Sequence, residues 1–220
     1  MKTNYFNNNS NELIIFLTGW GCDDIQFKNM TSICKKYDIL ICWNYSDLKF
    51  EPKLNFEKYS KIYLLTYSAG VYAAGLIQNY LPKIDYSIAI NGNPLMFDKL
   101  FGIPKEVLNI FRNLNLSNYI DFRRKYLVYS EDELEFFNKH SSVRDFEDCN
   151  IELNKLEEFS RTDYKPYEFD KAILSDSDRI FNFETQKEYF KNKYYELKDS
   201  AHNVFFKFQT FESIIESFVD

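Results

Sequence analysis

A chain of 220 residues, 45% hydrophobic and 27% charged, has the make-up of one globular domain with room for an insertion. A net charge of −6 argues against the basic surface that a nucleic-acid partner requires. Cys22, Cys34, Cys42 and Cys149 include no C-x-x-C pair and are joined by only two histidines, so no zinc site or other metal is expected, and reduced thiols in a cytoplasmic protein fit best.

The first residues are polar, and the apolar run at 13–17 is too short for a signal-peptide core or a membrane span. Residues 13–18 (LIIFLT) are almost uniformly apolar and end at Gly19, the pattern of a strand buried on both faces. Helical spacing follows over 24–36, then a second buried strand at 38–43. A third strand is expected at 62–67, with a small-residue helix over 69–80 that stops near Pro82. The fourth strand, 86–91, is closed by Gly92-Asn93-Pro94. From 95 to 171 the pattern is helical and charged, with helices expected at 105–116, 132–139 and 151–159 and no clear strand. A fifth strand begins at 172–174, a sixth lies at 194–197, and a closing helix covers 205–218. Strands alternating with helices imply an α/β fold with a mainly parallel sheet flanked by helices. Residues 1–94 and 172–220 would form its core, and 95–171 a helical insertion.

The chemistry centres on Ser68. An apolar strand runs into it and a helix rich in small residues leaves it, as in a nucleophile elbow. The motif is Thr66-Tyr67-Ser68-Ala69-Gly70, with threonine where the usual pattern has its first glycine. Alone, a serine at such a junction is more often a helix N-cap. A nucleophilic serine needs a base, and His202, on a late loop, suits that role better than His140 within the helical insertion. The orienting acid should follow a strand between the serine and the histidine, where Asp176 and Asp178 are candidates and Asp178 is preferred. An oxyanion hole would draw one N–H from Ala69 and a second from the loop after the first buried strand, Thr18-Gly19-Trp20-Gly21, with Trp20 as donor. Each feature is weak alone, but their order along the chain is that of a serine hydrolase.

The segments FLTGWG (16–21), LLTYSAGVYAA (64–74), INGNP (90–94), FGIP (101–104), LSDSDRIF (174–181) and DSAHNVFF (199–206) together resemble pimeloyl-ACP methyl ester esterases of the BioG type. The resemblance implies an α/β-hydrolase fold with a helical cap. It also implies hydrolysis of the methyl ester of pimeloyl-[acyl-carrier protein] to pimeloyl-[acyl-carrier protein] and methanol in biotin biosynthesis, without a cofactor. It assigns Ser68 as nucleophile, His202 as base and then acid, Asp178 as orienting acid, and the Trp20 and Ala69 N–H groups as oxyanion donors. The chain departs from the family's H-G-W-G loop at Thr18 and from the glycine elbow at Thr66. The acyl-carrier partner is acidic and carries a phosphate, so Arg123 and Arg124, in the one basic cluster of the insertion, are expected to help dock it. The alternatives are an esterase or thioesterase for another small acyl group, or a non-catalytic binding protein of the same fold. Oligomeric state is left open.

Overall fold

The computed structural model describes residues 1–219. Seven strands form one sheet: β1 (Lys2–Phe6), β2 (Glu12–Leu17), β3 (Asp38–Trp43), β4 (Lys61–Tyr67), β5 (Tyr86–Ile90), β6 (Lys171–Ser175) and β7 (Tyr194–Leu197). Their order is β1-β3-β2-β4-β5-β6-β7, and every pair is parallel except β1 with β3. Alternation along β2 sends Leu13, Ile15 and Leu17 into one apolar layer and Ile14 and Phe16 into the other. Both faces are covered, which is why β2 and β4 read as largely apolar runs. The first layer packs under α2 (Ala69–Ile77), the second under α1 (Lys28–Ile33) and α8 (Phe211–Phe218).

The described chain is the expected mainly parallel α/β sheet, with differences in several of its elements. First, β1 was not anticipated. It is an edge strand with a polar sequence, held to β3 by its ladder and by Asp38, which accepts from the Tyr5 hydroxyl and the Asn8 and Ser10 N–H groups. Second, the closing helix starts at Phe211 and not at 205, because the Thr210 hydroxyl caps it by accepting the Ser213 N–H at 2.9 Å. Third, α7 (Phe183–Phe190), capped by Asn182, lies between β6 and β7.

Between β5 and β6 the chain is helical: α3 (Lys105–Arg112), α4 (Tyr119–Phe122) continuing into a π-turn at Arg123–Leu127, α5 (Glu131–Lys139) and α6 (Phe146–Phe159). The last begins at 146, not 151, because Asp145 caps it through the Asp148 N–H at 2.7 Å. β3 and β4 lie on opposite sides of β2, so the winding of the sheet reverses there. The crevice outside the C-terminal ends of β2 and β4 is therefore the natural ligand position for such a sheet.

Candidate active site

Ser68 stands at that crevice, on the one residue between β4 and α2. Its φ of 55° and ψ of −120° are in a region that non-glycine residues rarely occupy. The turn is this sharp because α2 begins hard against the end of β2: a Cβ on Gly70 would lie 2.2 Å from the Leu17 carbonyl oxygen. Thr66, in place of the usual glycine, fits because its hydroxyl donates to the Ile88 carbonyl of β5 at 3.2 Å.

The Ser68 Oγ lies 2.9 Å from His202 Nε2, and His202 Nδ1 lies 3.0 and 3.1 Å from the two oxygens of Asp178. A carboxylate only accepts, so Nδ1 carries the proton, Nε2 is the acceptor and the serine hydroxyl donates to it. Asp178 is fixed in turn by the Ile180 and Phe181 N–H groups, at 2.8 and 3.1 Å. All three side chains are buried. The imidazole lies between the rings of Tyr67 and Phe181, with centroids at 5.1 and 6.1 Å. Asp176 faces elsewhere and accepts the Asp199 and Ser200 N–H groups on the loop that carries His202. His140 bonds the Phe136 carbonyl of its own helix.

Ala69 is the first residue of α2, so its N–H has no partner within the helix. Neither it nor the Trp20 N–H is bonded to a protein acceptor among the described residues. Beside them is a narrow cavity of about 60 Å³, whose lining includes Phe111, Tyr119, Phe122, Leu127, Phe137 and Ile180. Among the described residues no group of three or more His, Cys, Asp or Glu side chains converges as metal ligands would.

Arg123 does not present a docking surface. It is 6% exposed, its Nη1 donates to Asn138 Oδ1 and Ser141 Oγ at 2.8 Å each, and its guanidinium lies 4.0 Å from the centre of the Tyr119 ring. The alternation of the helical turn sends it inward and leaves Arg124 outward, where it pairs with Glu131 at 2.8 Å and with Asp121.

Three contributors to the site were not singled out from the sequence. Asn91, just after β5, donates through Nδ2 to the His202 carbonyl at 2.8 Å and to Ser175 Oγ, and its side-chain Oδ1 accepts the Ser175 N–H. It thereby ties the His202 loop to β6. Arg144 and Glu152 form a buried ion pair at 2.7 Å beneath the Trp20 loop. Burial pushes the Glu152 carboxyl above its ordinary range, opposed by Arg144 and by the Tyr45 and Gly21 N–H groups. The four-residue spacing of Arg144, Asp148 and Glu152, with Arg144 just before α6 and the other two on it, was the available signal.

A parallel sheet with a serine on a strained turn after its fourth strand, and an imidazole and a carboxylate on later loops, is the architecture of the α/β-hydrolases. Comparison with known proteins narrows this further. The chain belongs to the family of pimeloyl-ACP methyl esterases designated BioG, whose model matches residues 1–214. It is 31% identical over 197 residues to a malonyl-[acyl-carrier protein] O-methyltransferase of Bacteroides fragilis, a match that covers 87% of this chain but only 39% of that much longer protein. It is 26% identical over 192 residues to an uncharacterised protein of Haemophilus influenzae, covering 86% of each. The crystal structure of BioG from Haemophilus influenzae superposes with a TM-score of 0.82 at 25% identity, over 97% of this chain and 99% of that one. An esterase from Exiguobacterium antarcticum shares the fold, with a TM-score of 0.69 at 13% identity over 99% and 95% of the two chains.

Proposed function

We propose that this protein is a serine carboxylesterase that hydrolyses the methyl ester of pimeloyl-[acyl-carrier protein], releasing methanol and leaving pimeloyl-[acyl-carrier protein] for biotin biosynthesis. The observation that carries the reading is the unbroken hydrogen-bond chain Ser68–His202–Asp178 beside an apolar cavity, in a chain of this family.

In this mechanism His202 Nε2 takes the Ser68 proton as Oγ attacks the ester carbonyl. The oxygen of the tetrahedral intermediate develops against the Trp20 and Ala69 N–H groups. Collapse expels methanol, protonated by His202, and leaves an acyl-enzyme. Water, deprotonated by His202, then attacks, and the second collapse frees Ser68 and the carboxylate product. Asp178 holds the imidazole in the working tautomer and stabilises its charged form. The apolar walls suit the polymethylene chain of a pimeloyl group, and the helical segment 95–171 acts as a cap over it. Among the described residues no helix is long and apolar enough to cross a membrane; a cytoplasmic site of action belongs to the proposal.

A fluorophosphonate probe tests the nucleophile. Labelling that maps to Ser68 and vanishes in Ser68→Ala is expected; a folded wild type that takes no label contradicts an esterase and leaves a binding protein. Carrier docking is assigned to Arg124 and the adjacent exposed Lys125. Arg124→Glu with Lys125→Glu is expected to raise KM for the carrier-bound ester several-fold, as loss of charge complementarity does, while sparing a small free ester. Equal KM values for the carrier-bound ester before and after would reject that surface.

A further inference from the structure

The loop that supplies Trp20 is held from the far side by the helical insertion. The Trp20 indole N–H donates to the Cys149 carbonyl on α6 at 2.6 Å, and its ring stacks on Phe111 of α3 at 4.8 Å. The next residue, Gly21, has a φ of 71° and donates its N–H to Glu152 Oε2 at 3.2 Å. The other oxygen of Glu152 accepts the Tyr45 N–H at 2.8 Å. Arg144 donates through Nη1 to Glu152 at 2.7 Å and to the Cys22 carbonyl at 3.3 Å, and through Nε to Asp148 at 2.7 Å. Glu152 is fully buried and is bonded to none of Ser68, His202 or Asp178.

Stability alone does not account for this arrangement. A buried ion pair about breaks even against apolar side chains of the same volume. What Glu152 supplies, and an apolar residue would not, is an acceptor for the backbone N–H groups of Gly21, on the loop after β2, and of Tyr45, on the loop after β3. Together with the indole bond, this fixes the Trp20 side chain and the peptide that follows it, and so the direction of the Trp20 N–H. Hydrogen bonds weaken steeply once the donor is misaimed.

We infer that Glu152, held by Arg144, is a positioning residue for the esterase reaction: with the Cys149 carbonyl it aims the Trp20 N–H at the oxygen of the tetrahedral intermediate. The inference rests on the assignment of Trp20 as an oxyanion donor above. It makes the insertion part of the catalytic apparatus as well as the wall of the cavity.

The test uses the full chain, a short p-nitrophenyl ester, and a trifluoromethyl ketone that forms a tetrahedral adduct on the serine, with folded sites counted by the acylation burst. Loss of a whole oxyanion donor costs about 10²–10³ in kcat, so a misaimed one in Glu152→Gln should cost about 10–100-fold. KM should stay within about twofold, because the donor acts on the transition state. Ketone affinity should fall by the same factor as kcat, and the pH profile should not move. Wild-type kcat per folded site and wild-type ketone affinity, with only the melting temperature lowered, would overturn the inference. If Glu152→Gln does not fold, Trp20→Phe carries the same test: it keeps an aromatic ring and the backbone N–H but removes the indole bond. A parallel loss of kcat and ketone affinity, about tenfold, supports the inference, and no loss overturns it. A wild type inactive on every ester would instead overturn the underlying hydrolase reading, so the two failures are distinct.

Discussion

Ser68 stores strain that its surroundings impose. Glycine occupies its backbone region freely and alanine does not, so removing the hydroxyl in two ways separates strain from chemistry. Ser68→Gly and Ser68→Ala are both expected to be inactive, with the glycine variant more stable than the alanine variant by about 1 kcal/mol in urea unfolding. Equal stabilities would mean that the turn is unstrained. The two aspartates after β6 divide in the same way. Asp178→Asn reverses the hydrogen-bond preference at His202 Nδ1 and is expected to lower kcat about 10³–10⁴-fold, whereas Asp176→Asn, at a carboxylate that accepts the Asp199 and Ser200 N–H groups and not the imidazole, is expected to cost less than about tenfold. The sequence left these two open because both follow the same strand within three residues. Only the fold turns one toward the imidazole and the other toward the loop backbone.

Among the elements, legibility followed burial. β2, β3, β4 and β5 lie under helices on both faces, so their residues are predominantly apolar and stand out from a single sequence. β1 is an edge strand with one neighbour, and its polar residues give no such signal. Its attachment depends on Asp38, buried beneath it. Burial works to raise the Asp38 pKa, but the Tyr5 hydroxyl, the Ser10 N–H, the Tyr59 hydroxyl and the Asn8 N–H outweigh it and hold the carboxyl down at about 2. A carboxyl depressed in the folded state adds stability that is complete above its ordinary pKa near 3.8 and is lost as pH falls toward 2. The shift corresponds to about 2 kcal/mol. Asp38→Asn is therefore expected to lose about that much at pH 7, with the gap to wild type closing between about pH 4 and pH 2 in urea titrations. A gap that stays constant across that range would show that Asp38 does not carry the effect.

In the molecule as a whole, the parts of the candidate site that were readable are those set by chain order: the Gly19-Trp20-Gly21 loop after an early strand, Ser68 between a strand and a helix, Asp178 after a late strand and His202 on a late loop. The parts that were not readable are pairings between distant segments. Glu152 meets Gly21 across 131 positions of chain, and Asn91 meets His202 across 111. No local pattern announces either contact. The inward direction of Arg123 is hidden for the same reason, since only the packing of its turn against α5 shows it. The central claim is that the chain cleaves the methyl ester and spares the thioester of a carrier-bound pimeloyl group. The intact mass of pimeloyl-[acyl-carrier protein] methyl ester, followed during incubation with wild type and with Ser68→Ala, tests it most directly. The account predicts that the wild type removes the mass of one methylene, ester to acid, while the acyl chain stays on the carrier and Ser68→Ala changes nothing. Release of the whole acyl group, or no change with folded wild type, would contradict it.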